Sequence, residues 1–325
     1  MVARTALCFT GLAVLLCLNL GNSHAQTRAQ NLTRNATFTT NSKLVLVPIT
    51  VTDHYGKTIT GLQAKDFIVS DDQATQEIVS FGTQDTPVSA GLVLDVSGSM
   101  RSTLDMVKES ARAFVKTANN DDEFLLLTVS TQPEFNAGFT SDLSNVEESI
   151  AVTKPGGFTA LIDTVYLGLN QMKKGRNPQR ALVIVSDGMD NHSQYSKGEL
   201  IRAALEADVQ VYAVIIDNGA GSSATGGGSP FRPSMIAKPG QQAAQRQGPD
   251  LLEELAEKTG GLYFHARNVA QAQEAMTKAG QALRNEYVIG YQPAGSGSSG
   301  KWHRIRVKTT MPKVSIHARN GYYAP

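Results

Sequence analysis

The stretch GLVLDVSGSM, residues 91–100, decides the fold. Its first half is an unbroken apolar run that ends on a carboxylate, and its second half alternates hydroxyl residues with small ones. An unbroken apolar run is what a strand shows when helices cover both of its faces. ALVIVS (181–186) and VQVYAVII (209–216) read in the same way, and EFLLLTV (123–129) supplies another strand. Leu104, Val107, Ala111, Phe114 and Val115 recur at helical spacing between two of these runs. Further helices are expected over Ala160–Met172, Lys197–Ala207, Leu251–Lys258 and Val269–Asn285, with a strand at Gly261–His265. Strands and helices in alternation specify an α/β fold with a doubly wound, mostly parallel sheet.

Working outward, residues 43–86 change character. KLVLVPITVTD, a turn at His54–Lys57 and TITGLQAKDFIVSDDQATQEIVSFG are short β-rich runs parted by Gly and Asp-Asp turns. They predict a small β module that needs a neighbour to complete its core. The sheet domain is expected over 87–292, interrupted at 218–248 by a Gly/Gln-rich insertion longer than compact domains usually hold. After GSGSSG (295–300), residues 301–325 read as a C-terminal β extension of two strands that would complete the first β module, with Trp302, Tyr322 and Tyr323 packing it onto the body or, as the alternative, forming an exposed aromatic patch.

The first 25 residues carry Arg4, an apolar run from Ala6 to Leu20 and the small-residue ending Ser23-His24-Ala25. This is the pattern of a secretory signal peptide, with cleavage expected before Gln26 and a flexible lead-in over 26–42. The run is too short for a membrane span. Cys17 does not suit a lipid anchor, because Leu16 precedes it where a small residue is wanted. The chain has 30 Lys+Arg, 29 Asp+Glu and 2 Cys, and both cysteines, Cys8 and Cys17, fall inside this leader. The exported product would then be cysteine-free and formally neutral, which excludes thiol chemistry, disulfide staples and Cys-bound zinc. Nothing in the charge balance favours nucleic acid as a partner. The expected location is periplasmic or extracellular.

Asp95 closes the first buried strand, where open parallel sheets place their ligands. Asp95, Ser97 and Ser99 ring a tight turn that Gly98 makes passable. One carboxylate and two hydroxyls are hard oxygen donors, suited to Mg²⁺ and to no soft metal. Two other loops offer the remaining ligands: Thr159 in GGFTA (156–160), and Asp187 in SDG (186–188) after the second buried strand. DVSGSM, GGFTA and SDG, in this chain order, resemble the metal-ion-dependent adhesion site of the von Willebrand factor type A domain. The resemblance implies a Rossmann-like type A fold with Asp95, Ser97, Ser99, Thr159 and Asp187 as metal ligands. It also implies Mg²⁺ as cofactor, with Mn²⁺ or Ca²⁺ as substitutes, and a partner protein's Asp or Glu completing the metal's shell. VTDHYGKTITGLQAKDFIVSDD (51–72), YVIGYQP (287–293), WHRIRVK (302–308) and ARNGYYAP (318–325) extend the likeness to the type A-related proteins abundant in Acidobacteria.

The expected function is therefore metal-dependent protein binding in adhesion or envelope assembly, without catalysis. A hydrolase using the same metal is the alternative, since Asp190 and His192 follow Asp187 closely; a structural envelope protein with a vestigial site is another. Ser97 has no base near it in sequence. His54, His265, His303 and His317 are scattered without the paired spacing of a zinc site.

Overall fold

A computed structural model describes residues 44–84, 86–217, 248–293 and 300–324. The expected leader, the lead-in and all but the last residue of the 218–248 insertion lie outside the described residues.

Among the described residues the largest sheet has six strands, in the order β10-β9-β8-β5-β6-β7. These are β5 (Val88–Asp95), β6 (Glu123–Val129), β7 (Glu134–Thr140), β8 (Gln179–Ser186), β9 (Gln210–Ile216) and β10 (Tyr263–Ala266). All its pairings are parallel except β6 with β7. Burial explains the unbroken apolar runs. Leu92, Leu94, Leu126, Val183, Val185 and Val214 face one core, while Val93, Leu125, Leu127, Leu182, Ile184 and Ile215 face the other. Helices α1 (Leu104–Val115), α2 (Leu143–Val152) and α6 (Val269–Arg284) cover the first face. The second is covered by α3 (Leu161–Met172), α4 (Lys197–Ala207) and α5 (Gly248–Thr259). This is the doubly wound, mostly parallel sheet that the alternation predicts. Gly91 is needed in β5: a Cβ there would lie 2.4 Å from Leu182 Cδ2 and 3.0 Å from Met172 Sδ at the end of α3.

Two elements were not legible beforehand, β7 and α2. β7 is a mostly exposed edge strand without apolar alternation, and α2 buries only Val146 and Ile150. Asp142 starts α2 by accepting hydrogen bonds from the N–H groups of Ser144 and Asn145.

The flanking segments form two four-stranded antiparallel sheets. One has the order β13-β1-β11-β4 and the other β14-β12-β2-β3. Their strands are β1 (Val45–Thr52), β2 (Phe67–Asp71), β3 (Ala74–Gln76), β4 (Ile78–Gln84), β11 (Glu286–Tyr291), β12 (Trp302–Thr309), β13 (Ser315–Ala318) and β14 (Gly321–Tyr323). Val47, Ile49, Val51, Phe67, Val69, Tyr287, Ile289, Tyr291 and Ile305 make their shared core. The N- and C-terminal segments thus complete one another. β11, read from sequence as the end of the sheet domain, runs between β1 and β4. Asp72 and Gln73 join β2 to β3 with φ of 45° and 77°, the left-handed pair that a two-residue hairpin requires.

Candidate metal centre

Sheet order reverses at β5. Its crossover to β6 passes over one face through α1, and the chain reaches β8 over the other face through α3. Loops that leave the carboxyl ends of β5 and β8 therefore part around a crevice. Asp95 is the last residue of β5 and Asp187 follows the last residue of β8. The third loop, which carries Thr159, leads into α3.

Hydrogen bonds tie these loops together. Gly98 N–H donates to Gly157 O (3.0 Å), and Gly156 N–H donates to Val96 O (2.7 Å). Gly157 has a φ of +78°, and a Cβ there would sit 2.5 Å from Thr131 Oγ1, so the loop needs glycine for both shape and room. Ala160 N–H donates to Ser130 O (3.0 Å), fixing the same loop to the end of β6.

Asp95 is fully buried. Its Oδ1 accepts from Ser97 N–H (3.0 Å) and its Oδ2 from Ser186 Oγ (2.6 Å). Ser186 Oγ in turn accepts from Gly188 N–H (2.9 Å), so this serine, unread in the sequence, links Asp95 to the start of the Asp187 loop. Burial pushes the Asp95 carboxyl up to about 6 despite these hydrogen bonds, and the charge of Asp187 adds to the rise. The hydroxyls of Ser97 and Ser99 lie 3.1 Å apart. Asp187 Oδ1 accepts from Met189 N–H (3.0 Å). Thr159 is buried. The structure thus brings Asp95, Ser97, Ser99, Thr159 and Asp187 to one edge of the sheet.

That donor set fits a hard divalent cation. Every group is an oxygen, two are carboxylates, and no Lys or Arg reaches the buried Asp95 among the described residues.

Asn191 is a second residue, after Ser186, to which the sequence assigned no role at the site. Its side-chain Oδ1 accepts from Thr159 N–H (3.0 Å) while its own N–H donates to Thr159 O (3.0 Å), and His192 N–H reaches the same carbonyl (3.1 Å). Asp190 is occupied elsewhere: Oδ2 accepts from Ile162 N–H (2.9 Å) at the start of α3 and from Ser193 Oγ (2.5 Å). The His192 ring stacks on exposed Phe158, with centroids 5.2 Å apart and an 18° tilt.

A second group that could hold a metal lies in the small sheets. Asp71, Asp72 and His303 form a potential metal-coordinating cluster. His303 Nδ1 sits 3.3 Å from Asp71 Oδ1 and 3.2 Å from Asp72 Oδ2. Asp71 Oδ2 accepts from the hydroxyls of Tyr291 (2.9 Å) and Tyr322 (3.0 Å). The reading of the histidines as scattered needs this correction: β12 pairs with β2 and brings His303 to residues 232 and 231 positions earlier, a proximity that local spacing cannot reveal.

Residues 91–189 match the model of the von Willebrand factor type A domain. An uncharacterised protein of Borreliella burgdorferi is 26% identical over 193 residues, which are 53% of this chain and 52% of the relative; the match spans about half the length of that relative. Among solved structures, the conserved hypothetical protein BatB of Bacteroides thetaiotaomicron is 18% identical over 60% of this chain and 98% of its own, with a TM-score of 0.45. The von Willebrand factor type A protein of Catenulispora acidiphila is 11% identical over 88% of this chain and 75% of its own, with a TM-score of 0.48. No helix among the described residues is long and apolar enough to cross a membrane.

Proposed function

We propose that the Asp95 edge holds Mg²⁺ and that the protein uses it to bind an acidic side chain of a partner protein. One observation carries the reading: hydrogen-bonded loops hold a set of oxygen donors around a buried carboxylate that lacks any cationic partner among the described residues. Asp95, Ser97 and Ser99 would hold the ion from one turn, with Thr159 and Asp187 approaching from the other two loops. When bound, Mg²⁺ offers a coordination position that a carboxylate from another protein can fill. The residues of the chain do the rest. Ser186 and the Ser97 N–H orient the Asp95 carboxylate, and Asn191 fixes the backbone on both sides of Thr159.

Binding finds more support here than hydrolysis. The two groups that could activate water are otherwise engaged, Asp190 at the start of α3 and His192 against Phe158. An exported protein of adhesion or envelope assembly accords with the leader pattern of residues 1–25.

Calorimetric titration of the metal-free full chain with Mg²⁺ tests the proposal. Saturable uptake is expected, lost in Asp95→Ala and kept in His303→Ala. Uptake that instead disappears in His303→Ala would move the metal to the Asp71 cluster. The second step is capture of an envelope partner on the immobilised protein, which should require Mg²⁺ and fail in Asp95→Ala. Metal-dependent turnover of an ester or phosphoester panel, absent in Asp95→Ala, would replace binding with hydrolysis.

A further inference from the structure

Where α4 and the end of α5 meet the β14-β12-β2-β3 sheet lies a groove of about 380 Å³. Arg202, Lys258, Trp302, Arg304, Asn320 and Tyr323 line it, and no carboxylate does. A volume of this order is typical of small-ligand sites.

The polar groups of the groove are largely unspent. The guanidinium groups of Arg202 and Arg304 make no hydrogen bond or ion pair among the described residues, although the charge of Arg202 acts on Glu199 one turn away. Among the described residues Arg112, Arg176, Arg267, Arg284 and Arg319 each face a carboxylate, whereas Arg101, Arg180 and Arg306 do not, so it is the convergence of two such groups on one groove that sets this place apart. Lys258 alone in the groove is paired, with Glu254 at 3.2 Å. The indole N–H of Trp302, the hydroxyl of Tyr323 and the side-chain amide of Asn320 also have no partner among the described residues, and none of them is sealed from solvent. The two rings meet edge to face, 4.9 Å between centroids. Gly321 makes room for this arrangement, since a Cβ there would fall 2.2 Å from Trp302 Cζ2.

We propose that this groove binds an anionic sugar, a pyranose unit bearing a carboxylate. Free guanidinium forks suit a carboxylate, because their paired N–H groups match its two oxygens. Aromatic rings give a pyranose an apolar surface for its C–H groups, and the neutral donors suit its hydroxyls. A peptide strand is a poorer fit. The segment leading into β14 is already closed against α5, by Asn320 N–H to Lys258 O (3.2 Å) and by the Thr259–Arg319 bridge. β14 itself offers an edge of three residues, Gly321–Tyr323, which is short for strand addition. Nucleic acid binding rests on extended basic surface, whereas this chain is near neutral with 30 basic and 29 acidic residues. The site is separate from the Asp95 edge.

Trp302 is the single tryptophan of the chain, so its fluorescence reports on this groove alone. Titration of the full chain with trigalacturonate should give a saturable fluorescence change with matching calorimetric heat, and neutral galactotriose should give neither. The double variant Arg202→Ala/Arg304→Ala should weaken binding at least tenfold with unchanged circular dichroism, and Asp95→Ala should leave it unaltered. An absence of heat with trigalacturonate overturns the proposal, as does equal binding of galactotriose. Equal or tighter binding of a tetraglutamate peptide overturns it too, making the groove an acidic-peptide surface.

Discussion

Two buried carboxylates stand at opposite ends of the main sheet. Asp95 closes β5 at its carboxyl end; Glu286 opens β11 and meets the amino ends of β8 and β9. Burial raises both, Asp95 to about 6 and Glu286 to about 7. Their surroundings differ. Glu286 is enclosed by donors, with Oε2 accepting from Gln179 Nε2 (2.8 Å) and Oε1 from Gln210 Nε2 (2.7 Å) and Tyr212 OH (3.1 Å). Gln179 Nε2 also donates to Leu283 O near the end of α6 (2.6 Å), so helix, small sheet and main sheet meet at one point. Asp95 instead shares its edge with hydroxyls and with a second carboxylate, Asp187. A buried acid saturated with neutral donors is a clamp, whereas one left beside further oxygens is a site.

The largest effect should come from breaking the clamp. Glu286→Ala leaves Gln210 and Tyr212 without their buried acceptor, at about 1–3 kcal/mol for each unsatisfied group. A loss on the order of 3–5 kcal/mol is expected from urea unfolding, with native-like secondary structure in the surviving folded fraction. Asp95→Asn, which keeps a polar group facing the Ser97 N–H and the Ser186 hydroxyl, should do the opposite: little loss of stability, but at least about a hundredfold weaker Mg²⁺ binding by calorimetry, near 2.7 kcal/mol. A stability loss at Asp95 as large as that at Glu286 would erase the distinction.

Acidity sharpens it further. Burial lifts the folded Glu286 carboxyl to about 7 from the ordinary glutamate value of 4.5, so the folded state holds its proton more tightly. Its contribution to stability is fully present below the unfolded value and is lost as pH rises through 7. Metal-free protein should lose on the order of 2 kcal/mol between pH 5 and pH 8 through this group. Glu286→Gln should flatten that part of the urea-midpoint profile; an unchanged profile would mean that other groups set the slope.

A smaller effect tests the support of the site. Asn191→Ala removes the acceptor for Thr159 N–H and should weaken Mg²⁺ binding roughly tenfold, about 1.4 kcal/mol. Asn191→Asp keeps an acceptor at that position and should retain most of the affinity. If the two variants bind Mg²⁺ alike, Asn191 does not position Thr159.

Legibility followed burial. Runs covered on both faces, such as Leu92–Leu94 and Leu182–Val185, announced their strands because only apolar residues are tolerated there. Exposed β7 and lightly buried α2 gave no comparable pattern. Among the site residues, Asp95, Ser97 and Ser99 share one turn and could be read together. Asn191 could not, since its role depends on Thr159, 32 positions earlier, coming within hydrogen-bond reach. An asparagine two residues beyond the Asp-Gly-Met turn was the one available signal, and polar loop residues are too common for that to count.

By itself, the sequence determined the doubly wound sheet and the candidate oxygen ligands, because burial periodicity and strand-end placement are local properties written along the chain. The tertiary structure alone decided three other matters: how strands of 45–84 and 286–323 interleave around one β core, that His303 meets Asp71 and Asp72, and that Glu286 joins the small sheets to the main one. Each depends on antiparallel pairing or packing between segments some 75 to 265 residues apart. The energy of such contacts comes from burial and from satisfied polar groups, and neither leaves a periodic trace in the sequence.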